Sequence, residues 1–431
     1  MSLPKGGGAI AGMGEKVSAN PVTGSASVGI PLPLTPGRGG FTPALSLSYD
    51  SGAGNGPFGL GWRLSLPSIR RKTDRGLPRY RRDDVFVLSD AEDLVPIPGA
   101  ARIEGDHEVA RYRPRVEGGF ARIESWTSRA DGRVHWRTTS RDNVRRTYGL
   151  GDGARLVDPD DPRRVFEWLL EEERDERGNV IVYTYAPEDR VNVPPQPAER
   201  HRGTPGNGVA YRYPKQVSWG NAVDGAFRFH LVFDYGDHDD ADPGSEPDRP
   251  WPARSDAFSW FRAGFDVRCH RLCRRILLFH AFDSVRATPF VVRSVALTYD
   301  ERPTVSTLAS AQTVGWRWTG TSYEQASLPA VTFGYGQPRI DPKVALVDGL
   351  QELRGFDPAQ WRFVDLDGEG LTGLLSEQGS AWWYKRNEGE GTFGVARPLG
   401  TRPNLPLSGP GTRLVDLDGD GNLDLVVMRP G

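Results

Sequence analysis

The sequence predicts an all-β protein, an extended antiparallel β-sheet domain followed by the first blades of a β-propeller. Three observations point there. Short apolar runs alternate with polar residues at a period of two and are bounded by turn residues, as half-buried strands are. Glycine and proline number 52 and 35 among 431 residues, too many to leave room for long helices, and no convincing amphipathic helical stretch occurs. An aspartate-rich loop running into an apolar segment occurs at Asp365 and again at Asp416. That separation of about 50 residues is in the range of propeller blades.

About 340 residues precede the repeats, more than a single core usually organises. Residues 1–340 are therefore expected as one extended β-structure or two subdomains, with the Pro/Gly-rich stretch 192–208 as internal loop or boundary, and residues 341–431 as the repeat region. In order, Leu45 to Tyr49 reads as a strand entering the turn Asp50-Ser51-Gly52, and Trp62 to Leu66 and Val85 to Leu88 read as two more. Phe166 to Tyr185 reads as a hairpin. Phe166, Trp168 and Leu170 share one face of its first strand, Arg177-Gly178-Asn179 turn the chain, and Val180, Val182 and Thr184 alternate with Ile181, Tyr183 and Tyr185.

The repeated loops carry recognisable chemistry. Ca²⁺ takes about six to eight hard oxygens. The side chains of Asp416, Asp418, Asp420 and Asp424, with the main-chain carbonyl of Asn422, would supply them, and Gly421 permits the turn. An EF-hand is excluded, because its twelfth position falls on Val427 and an apolar strand run replaces the flanking helix. The first copy offers Asp365, Asp367 and Glu369 but has Gly373 at the ninth position, so it is a degenerate calcium loop. The metal-free alternative is an Asx-turn scaffold, in which aspartate oxygens accept backbone N–H bonds. Trp361 and Phe363, Trp382 and Tyr384, and the glycine-flanked Phe393 complete a blade-like pattern. Together they resemble the FG-GAP and VCBS repeats of adhesion and toxin propellers.

Net charge is −2, which gives no reason to expect nucleic acid as a partner. The basic runs Arg70 to Lys72, Arg79 to Arg82 and Arg268 to Arg275 interleave with strand residues and read as solvated or salt-bridged faces. No run of some 18 apolar residues occurs, so direct membrane insertion is not expected, and no charged-then-apolar Sec signal pattern is present. Cys269 and Cys273 would stand about 13 Å apart on one strand face, too far for a disulfide, and read as buried reduced thiols. The cluster Asp234, Asp237, Asp239, Asp240 and Asp242 near His238 reads as a solvated hairpin loop rather than a metal or paired-carboxylate centre. Lys5-Gly6-Gly7-Gly8 lacks the remainder of a phosphate-binding loop, and neither G-x-S-x-G nor H-E-x-x-H is present. No catalytic residue is assigned.

Pro4 to Ile10, Gly14 to Gly24 and Pro36 to Phe41 resemble the opening of the SpvB/TcaC N-terminal domain. More specific are Ser46 to Trp62, which includes Gly56-Pro57-Phe58-Gly59-Leu60-Gly61-Trp62, and Lys72 to Tyr80. Tyr112 to Tyr148, Arg249-Pro250-Trp251-Pro252, Arg262 to Phe265 and Arg271 to Arg275 continue the likeness to the B component of insecticidal toxin complexes, the Tc toxins. The resemblance implies a structural, non-enzymatic role. In that family the B component joins the effector-bearing C component in a hollow shell built largely of RHS repeats, and its propeller docks on the pentameric A component, the translocation channel. Without a Sec signal pattern, export is expected by another route, with accumulation in the cytoplasm before release.

Two other classes remain open at this stage. SpvB-type toxins carry a mono-ADP-ribosyltransferase domain downstream of the corresponding region. Glu388-Gly389-Glu390 superficially matches its Glu-x-Glu pair, but it lies between strand residues, has no Ser-Thr-Ser strand upstream and reads as a solvated hairpin tip. A calcium-dependent adhesion or carbohydrate-binding propeller would need exposed aromatics beside the acidic loops.

Overall fold

The computed structural model describes residues 16–20, 25–74, 76–89, 92–202, 208–336, 343–350, 361–368, 370–400, 403–417 and 423–428. Among them the only helices are the single 3₁₀ turns Arg38–Gly40, Asp152–Ala154 and Pro197–Glu199. The rest is strand and turn, as the periodicity requires. The chain forms two units, Met1–Lys72 with Pro78–Gly334, and Thr73–Leu77 with Tyr335–Gly431.

Eight strands of the larger unit close on themselves. Ser68–Arg71, Phe86–Leu88, Glu92–Pro96, His107–Pro114, Arg122–Ser128, Val134–Thr139, Arg145–Tyr148 and Val165–Arg174 each pair antiparallel with the next, and the last pairs back on the first. Closure depends on the length of Val165–Arg174. On one edge its Glu167 to Leu169 pair with Ser68 to Arg70, and its Glu172 to Arg174 pair with Val180 to Val182. The ring and an open sheet therefore share this strand. The sheet continues through Val180–Pro187, Arg212–Asn221, Phe227–Asp234, Arg275–His280, Phe290–Glu301 and Ser306–Trp318.

An eight-stranded ring is narrow enough for side chains to fill, and this one is filled. Phe86, Tyr112, Trp136 and Trp168 meet edge-on or tilted at centroid distances between 4.8 and 6.1 Å. Ile69, Leu94, Ile123 and Tyr148 join the same buried cluster. The Arg71 guanidinium lies 5.0 to 5.5 Å from the Tyr80, Phe86 and Trp168 rings and pairs with Asp84 at 2.6 Å.

The expected hairpin forms, with Val165–Arg174 and Val180–Pro187 as its strands and Phe166, Trp168 and Leu170 all buried. Its turn is held by Asp175, whose carboxylate accepts the N–H groups of Arg177 (2.9 Å) and Asn179 (2.8 Å). Lys16–Asn20, Ser25–Pro31, Ser46–Asp50 and Trp62–Leu64 form a separate four-stranded sheet. The strand expected to run to Leu66 stops at Leu64, because the Leu66 N–H folds back onto the Leu64 carbonyl. Of the stretch 192–208, the described residues 192–202 lie in the larger unit without strand and carry the 3₁₀ turn Pro197–Glu199 with Glu199 buried, while residues 203–207 lie outside the described residues.

The glycines of the Gly56 to Trp62 segment are required by geometry. Gly59 and Gly61 have φ of 88° and 77°, a region that suits glycine. A Cβ on Gly59 would lie 3.0 Å from the Ser306 carbonyl oxygen, and one on Gly61 would lie 2.5 Å from the Tyr49 ring. The close approach seats Phe58 and Trp62, 1% and 2% exposed, in the main core.

In the smaller unit Trp361–Val364, Gly373–Gln378, Ala381–Lys385 and Arg397–Pro398 form a four-stranded antiparallel sheet. Trp382 and Tyr384 share its buried face with Val364, Leu375 and Leu407. Asn387–Gly389 pairs with Thr392–Phe393, and Thr412–Val415 with Asp424–Val427.

Candidate functional site: acidic hairpin loops and a buried ion-pair seam

Each acidic loop joins the strands of a hairpin. Asp365 follows Trp361–Val364, and its carboxylate accepts the N–H groups of Gly368 (2.8 Å) and Gly370 (2.7 Å). Asp367 faces Arg386 Nε at 3.5 Å. In the second loop Asp416 follows Thr412–Val415, and Asp424 opens the return strand and accepts the Leu417 N–H at 3.0 Å. Asp418, Asp420, Asn422 and Glu369 lie outside the described residues. Both oxygens of Asp365 thus serve backbone donors, the bonding of an Asx-turn, and the Asp367 charge has a guanidinium beside it. At the second loop two of the five candidate ligands, Asp416 and Asp424, are brought to the two ends of one hairpin loop.

The larger unit contains an ion-pair system that sequence reasoning missed. Glu188, just after Val180–Pro187, receives Arg271 Nη2 (2.6 Å) and the Tyr213 hydroxyl (2.7 Å). His270 stands 3.4 Å from Glu188 and 3.2 Å from Glu199, and Glu199 also holds Arg268. Burial by itself would raise the Glu188 pKa. Hydrogen bonding from His270 and the Arg271 charge outweigh it and hold the group at about 2. These carboxylates are fixed anions that staple the 188–202 loop to the 267–274 segment. The signal available in the sequence was the arginine run 268–275, whose salt-bridged alternative is the one adopted.

Two readings need correction. The Asp234 to Asp242 cluster is not simply a solvated loop. Asp234, Asp237 and His238 are fully buried, whereas Asp239, Asp240 and Asp242 face solvent. Asp237 accepts from Lys215 Nζ and the Trp251 indole, both at 2.6 Å, and Asp234 accepts from Arg275 Nε at 2.6 Å. Charge pairing across neighbouring strands, invisible in the local sequence, draws them in. Cys269 and Cys273 are buried free thiols as expected, but not on one strand. Cys269 ends Val267–Cys269, and Cys273 precedes Arg275–His280. Burial pushes both thiol pKa values up. Glu388 and Glu390 are exposed at a hairpin tip, with Glu390 at φ 51°, and Lys5 to Gly8 lie outside the described residues.

A filled β-ring, an open sheet sharing one of its strands, and charges locked into buried pairs define an all-β protein built of antiparallel sheet. Residues 20–282 match the family described as SpvB, Salmonella virulence plasmid 65kDa B protein, and the chain belongs to that family. The mono(ADP-ribosyl)transferase SpvB of Salmonella choleraesuis strain SC-B67 is 36% identical over 359 residues, covering 75% of this chain and 58% of the relative. The structure of TcdB2-TccC3 matches with a TM-score of 0.78 at 33% identity, over 98% of this chain and 22% of that one. A Tc holotoxin pore from Photorhabdus luminescens matches at 0.76 and 33%, over 100% and 21%. The N-terminal domain of effector protein SpvB from Salmonella typhimurium strain LT2 matches at 0.62 and 35%, over 67% and 98%. The chain spans little more than half the length of the curated relatives and about a fifth of the TcdB2-TccC3 chain.

Proposed function

We propose that this chain is the N-terminal part of a toxin-complex B component, a structural and non-catalytic piece of the shell that encloses a cytotoxic effector. The observation that carries this reading is coverage. The likeness to TcdB2-TccC3 extends over 98% of the chain, whereas the SpvB N-terminal domain accounts for 67%. On this reading residues 1–340 belong to the shell and residues 341–431 are FG-GAP/VCBS-type repeats that open the propeller docking on the channel component. The partners are the effector-bearing RHS protein, the C component, and the pentameric A component, and the assembly acts outside the producing cell. Among the described residues no helix is long and apolar enough to cross a membrane. Ca²⁺ at the Asp416 to Asp424 loop is part of the same proposal.

The test is co-expression of the full-length protein with a toxin-complex C component, followed by size-exclusion chromatography and limited proteolysis. A stable complex that shields the C-terminal effector from protease is expected. Separate elution with a protease-sensitive effector would overturn the reading.

A second reading, the N-terminal region of an SpvB-like ADP-ribosyltransferase, is favoured by the 36% identity to those enzymes. Transfer of label from NAD⁺ to an acceptor protein by the full-length protein would select it.

A further inference from the structure

A cavity of about 400 Å³ opens beside the β-ring, lined by Arg71, Arg133, Arg155, Arg163 and Arg212 and by the carboxylates of Asp131 and Asp152. Four of the five guanidinium groups have a carboxylate. Arg71 pairs with Asp84 at 2.6 Å, Arg163 with Asp161 at 2.8 Å, Arg133 with Asp131 at 3.2 Å, and Arg155 with Asp152 at 3.4 Å. Arg155 is further held by the Gly149 and Leu150 carbonyls, at 2.6 and 3.0 Å.

Arg212 is different. Among the described residues its side chain makes a single hydrogen bond, from Nη1 to the adjacent Tyr211 carbonyl at 3.1 Å, and no carboxylate lies within ion-pair distance. Its Nε is buried without a hydrogen-bond partner. The one carboxylate acting on it at longer range is Asp152, already shared by Arg133 and Arg155. A half-buried guanidinium whose nearest counter-charge is distant and already shared is stabilised when an anion from outside pairs with it. Nη2 has no protein partner among the described residues, and the Nη1–Nη2 end of a guanidinium is a fork that carboxylates and phosphates engage in two parallel hydrogen bonds. The volume is that of a small-molecule site.

We propose that this cavity binds the oxyanion of a small molecule, a phosphate or a carboxylate, with Arg212 as its anchoring residue. The surplus of one positive charge matches one anionic group. This inference stands on the larger unit alone and does not depend on the toxin-complex reading.

The experiment is isothermal titration of the purified chain with inorganic phosphate and, separately, citrate, at constant ionic strength set with chloride. Saturable binding of either in the wild type is expected, with loss of at least tenfold in affinity in Arg212→Gln. Arg82→Gln, which removes an exposed arginine elsewhere in the unit, should bind as wild type does. Phosphate preferred over citrate identifies a phosphorylated ligand, and the reverse a carboxylate. If Arg212→Gln does not fold, Arg212→Lys keeps the charge but removes the fork and should weaken binding by the same tenfold or more. No saturable binding by the wild type, or unchanged affinity in a folded Arg212 variant, would overturn the proposal.

Discussion

Arg254 and Asp256 form a two-pronged ion pair shut away from solvent, with Nε to Oδ1 and Nη2 to Oδ2 both at 2.8 Å and both side chains 0% exposed. Asp256 also accepts the Ser306 N–H and hydroxyl, each at 2.6 Å, and Arg254 donates to the Gly56 carbonyl and to Asn55. One pair thus ties the Gly56 to Trp62 segment to the start of Ser306–Trp318. Asp256→Asn removes the charge and strands Arg254, and should cost about 3–5 kcal/mol, read as a lowered urea midpoint. Arg254→Met with Asp256→Leu should recover part of that loss, because no buried charge is then left alone. A cost within experimental error for the single variant would refute this role.

Acid should weaken the larger unit in a defined window. Burial opposes the ionised form of Asp256, but hydrogen bonds from Arg254 and Ser306 prevail and hold its pKa at about 2, as they do for Glu188 through His270 and Arg271. A carboxylate with a depressed folded pKa stabilises fully above its unfolded value and loses that contribution as pH falls through the folded one. The loss should run from about pH 4.5 to pH 2 and amount to about 2–3 kcal/mol for each group. Equilibrium unfolding across this range checks it, and Asp256→Asn should show a shallower fall.

His135 acts at higher pH. Burial, then the charges of Arg137 and His107, lower its pKa from 6.5 to about 3. Between those values the unfolded chain binds a proton that the folded one does not, so stability falls as pH drops below 6.5. His135→Phe should reduce the slope between pH 6 and 5 by up to about 1.4 kcal/mol per pH unit. An unchanged slope would show that His135 takes up its proton in the folded state.

Gly61→Ala should destabilise by roughly 2 kcal/mol or more, since φ is 77° and the added methyl meets the Tyr49 ring. Gly99→Ala is the control. Its φ of 73° carries the backbone penalty, but nothing lies within 4 Å of the new Cβ, so about 1 kcal/mol is expected. Thermal melts of the two side by side separate the steric term from the backbone term.

Calcium should raise the melting temperature of the smaller unit if the second acidic loop is a cation site. Saturating Ca²⁺ at about 100 times its dissociation constant corresponds to roughly 2.7 kcal/mol. Asp424→Ala with Asp420→Ala should abolish that increment, while the loss of the Leu417 bond to Asp424 appears with or without calcium. Equal melting temperatures in calcium and in chelator would leave the loop as an Asx-turn.

The hairpin turn at Arg177 to Asn179 and the buried face of Phe166, Trp168 and Leu170 were legible because both are local: a period of two, and a turn written in three consecutive residues, with Asp175 as its anchor seen only in the structure. The acidic loops were legible as turns running into an apolar strand for the same reason, but that each closes a hairpin with the strand before it came from the strand pairing. The Asp234 to Asp242 cluster was misjudged because exposure depends on Lys215 and Arg275, which lie on other strands. Nothing in its own composition distinguishes buried Asp237 from exposed Asp239.

By itself the sequence determined the all-β class, the short antiparallel elements and, through Ser46 to Trp62, the family likeness. The tertiary structure alone decided that Val165–Arg174 divides one edge between Ser68–Arg71 and Val180–Pro187 and so closes a ring, that Arg254 finds Asp256 and Ser306, and that Arg212 finds no carboxylate. The reason is one of range. Periodicity and turn chemistry act over a few residues, whereas strand partners and counter-charges are chosen by register and by burial across segments remote in sequence, where pairing is cooperative and the local pattern carries no address.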